Sequence, residues 1–406
     1  MNYRAALAWL YGTQRFGIKL GLESSHRIFD SLGVAAPPGK VIHVAGTNGK
    51  GSVCALLEAI GRAAGYRTGL FTSPHLVTFR ERIQVNGEMI SAEAVARGLT
   101  NIRDLVATWD PHPTFFEIAT ALALLHFREA PLDLVILETG MGGRLDSTNA
   151  IQSTVSVLTP IDYDHQNWLG HTLVEIAGEK AGIIKPGIPV VSAAQPAEAA
   201  AVLRAQAAEL GSSLRFVDLP LTRFSIALLG EHQKENAALA VAAFHAAQVF
   251  VPEDALEEGL ATVRWPARFQ RWDERTVIDG AHNPAGARSL LRAWQDHFGE
   301  RKATLILAAL ADKDVAGFVA ALAPIVSRVL LPHIQSERAI PPEELGLTIK
   351  GKLPGIPSET FASFAAAWQG AQRGDDLILI TGSLHFAGEA LASLKGEPTA
   401  FEECLQ

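Results

Sequence analysis

Cysteine is nearly missing from this chain, with Cys54 and Cys404 the only two among 406 residues. That excludes a disulfide framework and points to a reducing compartment. Excess positive charge is lacking as well: 35 Lys and Arg stand against 43 Asp and Glu, a formal net charge of −8. Capture of nucleic acid through a bulk electrostatic field is therefore excluded, and an anionic ligand must be held by local positive groups. No apolar run approaches the roughly 20 residues needed to cross a bilayer. Residues 1–11 read as a short amphipathic helix, without the basic segment and apolar stretch of a secretion signal. The cytoplasm is the expected setting, with no membrane partner. Internal repeats and low-complexity segments are also missing. Apolar residues are plentiful, at 48%, enough for a large core, and the length favours at least two domains.

Short apolar runs at residues 41–45, 68–72, 134–137, 155–158, 189–192, 276–278, 304–307, 328–331 and 377–380 recur between helical stretches. This alternation predicts α/β architecture with parallel sheets. An Ala-rich helical stretch follows Gly230, and Pro252 and the Trp265-Pro-Ala-Arg268 break then place a domain boundary near Pro266. The expected division is an ATP-binding P-loop domain with a mainly parallel sheet, residues 1–266, and a smaller Rossmann-like α/β domain, residues 267–406. Residues 194–210 predict an Ala-rich amphipathic helix that covers a sheet and carries no chemistry.

The most informative segment is Val41-Ile-His-Val-Ala-Gly-Thr-Asn-Gly-Lys-Gly-Ser52, a strand that runs into a glycine-rich turn and then a helix over residues 53–64. Such a turn is expected to aim its backbone N–H groups at phosphates, with the helix N-terminus adding partial positive charge and Lys50 reaching the outer phosphates. Gly51 stands where the common P-loop has Ser or Thr, so the hydroxyl ligand for Mg²⁺ is either shifted to Ser52 or supplied elsewhere. Ser73, just past a strand end, is one source, although Ser-Pro also starts plain turns. Glu138 ends another strand among glycines and suits Mg²⁺; an ion-pair role is the alternative. His165, in Asp162-Tyr-Asp-His165, is either a loop cap or a metal ligand. In the second half, Asp279-Gly-Ala-His-Asn-Pro284 and Gly382-Ser383 put polar residues at strand ends, or form a turn with Asx hydrogen bonds. Two such edges suggest a cleft between domains that holds two ligands and closes in turnover.

Together, His43-Val-Ala-Gly-Thr-Asn-Gly-Lys-Gly-Ser52, Thr72-Ser-Pro-His-Leu76, Glu138-Thr-Gly-Met-Gly-Gly-Arg144, Asp164-His165, Glu179-Lys-Ala-Gly-Ile-Ile-Lys185 and Asp279-Gly-Ala-His-Asn-Pro284 resemble the folylpolyglutamate synthase/dihydrofolate synthase family. The Gly17-Ile-Lys-Leu-Gly-Leu-Glu23 opening is similar too, and the motifs follow family order over nearly the whole chain. The resemblance implies a Mur-ligase-type central domain and an ATP-dependent ligase that joins a carboxylate to an amino acid through an acyl phosphate. It assigns Thr47, Asn48, Gly49, Lys50, Gly51 and Ser52 to the ATP phosphates, with Asn236, Arg268, Asp279 and His282 also at the nucleotide. Ser73 and Glu138 resemble ligands of a first Mg²⁺ and His165 of a second. Lys180 resembles the lysine that such ligases carbamylate with CO₂; on its own it reads as a helix-surface lysine. Arg82, Phe115, Phe116 and Glu117 fall where the family binds its pterin substrate, and Lys313 and Ser383 where glutamate or the acyl phosphate lies. Ala267, where glycine is common, and His385, where an aromatic is common, are departures.

These assignments imply that Lys50, His165 and Lys180 carry the catalysis. The expected co-substrates are ATP, L-glutamate, dihydropteroate and tetrahydrofolate polyglutamates, handled by a monomeric bifunctional enzyme. The alternatives are a folylpolyglutamate synthase only, a cell-wall amino-acid ligase, and an ATPase switch that ligates nothing. The second polar cluster argues against the switch, and the Thr72–Leu76 and Glu179–Lys185 motifs argue against the cell-wall ligase.

Overall fold

The computed structural model describes residues 1–17 and 21–402; residues 18–20 of the Gly17–Glu23 motif, and Cys404, lie outside the described residues. The first half builds an eight-stranded sheet from β1 (Lys40–Ala45), β2 (Thr68–Phe71), β3 (Ile83–Val85), β4 (Glu88–Met89), β5 (Leu134–Glu138), β6 (Val155–Leu158), β7 (Val190–Ala193) and β8 (Leu214–Val217). Their order is β4-β3-β2-β5-β1-β6-β7-β8, parallel except at β3 and β4. The second half builds a six-stranded sheet from β9 (Gln270–Arg271), β10 (Thr276–Ile278), β11 (Ala303–Leu307), β12 (Val326–Pro332), β13 (Ser358–Phe361) and β14 (Leu377–Thr381), ordered β13-β12-β11-β14-β10-β9. Only β9 runs antiparallel there. Two mainly parallel α/β sheets are thus what the alternation predicts.

β1 is apolar from Val41 to Ala45 except for the buried His43, because helices cover both faces of the sheet and β5 and β6 flank it. On one face the Lys50–Ala63 helix is buried along nearly its full length, packed on the Glu231–Ala246 and Glu253–Thr262 helices. Gly259 meets Ile60 so closely that a Cβ there would lie 2.5 Å from the Ile60 Cα. On the other face the helices Tyr3–Gly12, Ala92–Val106 and Phe115–Arg128 form a separate core with Phe71, Phe79 and Leu137. Parallel pairing of β2, β5, β1 and β6 brings their carboxyl ends to one edge, which is where ligands bind in open α/β sheets. In the second sheet the ends of β10, β14 and β11 are likewise neighbours.

Leu76 and Val77, from the loop after β2, pack against the core of the second sheet among Phe386, Ala387 and Leu391. A piece of the first half is therefore folded into the second.

Candidate active site

The turn after β1 places Gly49 at φ +89° as the cap of the Lys50–Ala63 helix, and no side chain caps that terminus. Its first-turn N–H groups have no intrahelical acceptor and face outward, a natural anion site. A Cβ at Gly49 would come within 2.8 Å of Asn236 Oδ1, so glycine also keeps the approach of the Glu231–Ala246 helix. The turn differs from expectation in one respect: the N–H groups of Thr47 and Asn48 donate to the Pro160 carbonyl at 3.0 and 3.3 Å. The phosphate-facing donors begin at Gly49. Thr47 Oγ1 donates to the Asp162 carbonyl, while Asn48 exchanges amide hydrogen bonds with Asn283 of the second half. Ser52 is buried, with Gln233 Nε2 donating to its Oγ at 3.4 Å, and Gln233 also accepts from Asn236.

Gly51 has a steric reason. A Cβ there would lie 2.8 Å from Trp265 Nε1, so the indole fills the volume that a Ser or Thr side chain needs. A hydroxyl and a carboxylate lie side by side at the ends of β2 and β5. Ser73 N–H donates to Glu138 Oε2 at 3.1 Å, both residues are buried, and Ser73 Oγ has no hydrogen-bond partner. Burial raises the Glu138 carboxyl, with the charge of Lys50 pulling the other way. A buried carboxylate beside a hydroxyl without a hydrogen-bond partner is a donor set that fits Mg²⁺. Among the described residues no group of three His, Cys, Asp or Glu is placed to hold a metal; the fit rests on this mixed set.

Two lysines converge on the Gly46 carbonyl, Lys180 Nζ at 2.8 Å and Lys50 Nζ at 3.2 Å. Lys180 is buried, contrary to its bare-sequence reading as a surface lysine, because the Leu173–Ala181 helix turns it toward β1. Burial, and then the charge of Lys50, lower its pKa to about 7. His165 sits at φ +50° before a short helix, its pKa lowered to about 4 by burial against the opposing pull of Asp164, so the imidazole is neutral and free to ligate.

The second sheet meets this edge at Asp164. Lys313 Nζ donates to its Oδ1 at 2.7 Å, His282 Nε2 lies 3.5 Å and His165 Nε2 4.0 Å from its Oδ2, and Asn283 Nδ2 donates to it at 3.4 Å. Burial pushes the Asp164 carboxyl up, but His282, His165 and Lys313 together hold it well below the carboxylate range. Asp279 accepts from Phe269 and Ala281 N–H groups, and Arg268 lies in the fields of Asp279 and Glu138. Ala267 adopts φ +56°, a left-handed conformation that explains why glycine is common there.

Several expected substrate contacts are placed otherwise. Arg82 is fully buried and donates Nε to His75 Nδ1, and Phe115 stacks on Tyr11 in the core. Glu117 completes a capping box with Thr114. Ser383 Oγ caps the Leu384–Leu394 helix. These four side chains are committed to the fold, since an amphipathic-looking loop motif says nothing about which way it faces. Phe116 alone of that motif is partly exposed, lying over Gly140. Sequence reasoning missed Asp164 as a hub, Trp265, and Asp146, whose carboxylate takes the N–H groups of Gly140 and Met141 and so shapes the turn after Glu138. The run Asp-Ser-Thr-Asn beginning at Asp146 was the available signal.

Comparison with known proteins agrees with this geometry. Residues 267–384 match the Mur ligase, glutamate ligase domain family. The chain is 34% identical to the dihydrofolate synthase/folylpolyglutamate synthase of Bacillus subtilis, covering 97% of this chain and 99% of that one. It resembles the structure of the bifunctional folylpolyglutamate synthase/dihydrofolate synthase of Yersinia pestis complexed with AMPPNP and Mn, at TM-score 0.88 and 32% identity over 97% and 98% of the two chains. It is similar to Escherichia coli FolC in complex with DHPP and ADP, at TM-score 0.86 and 32% identity over 96% and 98%. A P-loop edge and a glutamate-ligase half joined at Asp164, matched end to end by these relatives, make this chain a member of the dihydrofolate synthase/folylpolyglutamate synthase family.

Proposed function

We propose that the chain adds L-glutamate both to dihydropteroate, giving dihydrofolate, and to the glutamate tail of tetrahydrofolate. The observation that carries this reading is that His165 of the first half meets Lys313 and His282 of the second around Asp164, on the edge where Lys50 and Lys180 share the Gly46 carbonyl. A carboxylate oxygen of the folate substrate attacks the γ-phosphorus of ATP, ADP departs, and an acyl phosphate forms. The neutral α-amine of glutamate then attacks the acyl carbon, phosphate leaves, and the amine loses a proton to give the amide. Lys50 neutralises charge on the transferring phosphoryl group, and the two halves hold the reactants in line. Ser73 and Glu138 would hold one Mg²⁺ and His165 with Lys180 a second, supplying charge neutralisation at the phosphates.

A Lys180 amine with pKa about 7 is neutral often enough at physiological pH to add to CO₂ and lose one proton, becoming an anionic carbamate. The assignment places ATP handling in residues 1–266 and glutamate handling in residues 267–406. The working form is a monomer in the cytoplasm, with no nucleic-acid or membrane partner. Product mass spectrometry tests the reading: purified protein receives ATP, Mg²⁺, bicarbonate and L-glutamate, with dihydropteroate in one tube and tetrahydrofolate in another. Addition of one glutamate mass in both supports bifunctionality, addition with tetrahydrofolate alone leaves only the polyglutamate activity, and steady phosphate release without addition overturns ligation.

A further inference from the structure

The loop that carries Ser73 is held from the far end of the chain. Glu402 Oε2 accepts hydrogen bonds from Phe79 N–H at 2.6 Å, Thr78 Oγ1 at 3.0 Å and Tyr3 Oη at 3.0 Å. Its backbone joins in: Glu402 N–H donates to the Val77 carbonyl at 2.7 Å, and the Glu402 carbonyl accepts from His75 Nε2 at 3.0 Å. His75 Nδ1 accepts from Arg82 Nε at 2.8 Å, which fixes the ring proton on Nε2, and the Arg82 carbonyl accepts from Thr72 N–H at 2.9 Å, next to Ser73. An unbroken series of hydrogen bonds thus runs from Glu402 through His75 and Arg82 to the residue before Ser73.

The second half presses on the same loop. Leu76 and Val77, partly buried, pack against its core, and a Cβ at Gly388 would collide with the Leu76 carbonyl. Phe401, beside Glu402, sets its ring edge-on to His385 at 5.1 Å. Tyr3, from the first helix of the chain, shares the Glu402 carboxylate, so three remote segments meet on one group.

We propose that Glu402 is a positioning residue that pins the 75–79 loop and so holds Ser73 against Glu138 in the geometry that binds the divalent cation. The inference rests on the reading of Ser73 and Glu138 as cation ligands. Removing the carboxylate leaves the Phe79 N–H, Thr78 Oγ1 and Tyr3 Oη donors without that acceptor and loosens the loop at residues 78–79, while Glu81 still accepts from the N–H groups of Leu76, Val77 and Thr78 and the β1 turn and Lys50 are untouched.

The test uses the full chain with Glu402→Ala, Glu402→Gln, Tyr3→Phe and, as a control, Ser73→Ala. Amide hydrogen exchange is measured without ligands, and Mn²⁺ binding is measured by electron paramagnetic resonance in the presence of a non-hydrolysable ATP analogue. Glu402→Ala is expected to speed exchange of the Phe79 amide, the one that donates to this carboxylate, about tenfold, leave residues 46–52 unchanged, and weaken Mn²⁺ binding about tenfold. Glu402→Gln, which keeps one acceptor oxygen, should restore most of both, and Tyr3→Phe should give a graded effect of about threefold if Glu402→Ala does not fold. Faster loop exchange with unchanged Mn²⁺ affinity overturns the positioning role, as does unchanged exchange. Ser73→Ala separates the two failures: if it does not weaken Mn²⁺ binding, the ligand reading is wrong, whereas if it does and the Glu402 variants do not, only the pin is wrong.

Discussion

Lys180 and His43 show how burial turns ordinary side chains into specialised ones. Lys180 keeps its amine buried against the Gly46 carbonyl, so a Lys180→Ala variant should bind ATP with near-normal affinity yet lose turnover by about a hundredfold or more, unrescued by bicarbonate. Isothermal titration with an ATP analogue, set beside steady-state rates, checks both halves of that expectation; full activity would remove the carbamate. His43 is buried on β1, its pKa lowered to about 3 by burial and then by Lys185. The unfolded imidazole titrates near its ordinary 6.5, so below that value the unfolded chain binds the extra proton. Stability is complete above that pH and falls as the pH drops toward 3, by about 1.4 kcal/mol per unit and about 2 kcal/mol at pH 5 from this group alone. Urea unfolding at pH 7 and pH 5 should show at least this loss in the native chain, because other buried imidazoles such as His165 add to it, and a loss smaller by about 2 kcal/mol in His43→Leu. The strand-end position of Glu138 was legible because strand ends carry ligands in this architecture. The burial of Arg82, Phe115, Glu117 and Ser383 was not, because local sequence does not say which partner a side chain will face after the chain folds back.

Elements were legible where periodicity was strong. The buried strands β1, β5 and β14 are mainly apolar runs, and all three were located within a residue or two. β3, β4, β8, β9 and β13 escaped detection because they are short and lie at or near sheet edges, where half-exposed residues such as Ser358–Phe361 carry little apolar signal. The P-loop helix depends on the fit of Gly51 beneath Trp265. Gly51→Ser should weaken binding of the ATP analogue by about tenfold or more, and adding Trp265→Ala should recover part of it; an additive loss in the double variant would show that the indole is not the obstacle. Farther along, Thr172 and Glu175 form a capping box at the start of the helix that presents Lys180. Thr172→Ala is expected to lower stability by about 1 kcal/mol, read as a shift in the denaturant midpoint with unchanged slope.

At the scale of the whole molecule, the two sheets were legible from strand–helix alternation, but their junction was not, since nothing in the Asp162-Tyr-Asp-His165 run announces that Asp164 will gather Lys313, His282 and Asn283 from more than a hundred residues away. Asp164 and Lys313 are each only 9% exposed at the side chain, so Asp164→Ala leaves a buried ammonium with only the longer Asp312 pairing, at 3.6 Å, and should cost up to about 3 kcal/mol. Calorimetry should then resolve two melting transitions in place of one, and the KM for glutamate should rise more than that for ATP. The seating of Leu76 and Val77 in the second core bears on how such chains can be recombined. A hybrid joined at residue 266 to the tail of a cousin would carry one ancestor's loop into the other's socket. The heritable module is therefore discontinuous: residues 76–77 travel with residues 267–402, and shuffling experiments or phylogenies that treat the halves as separate genes should find those two segments changing together.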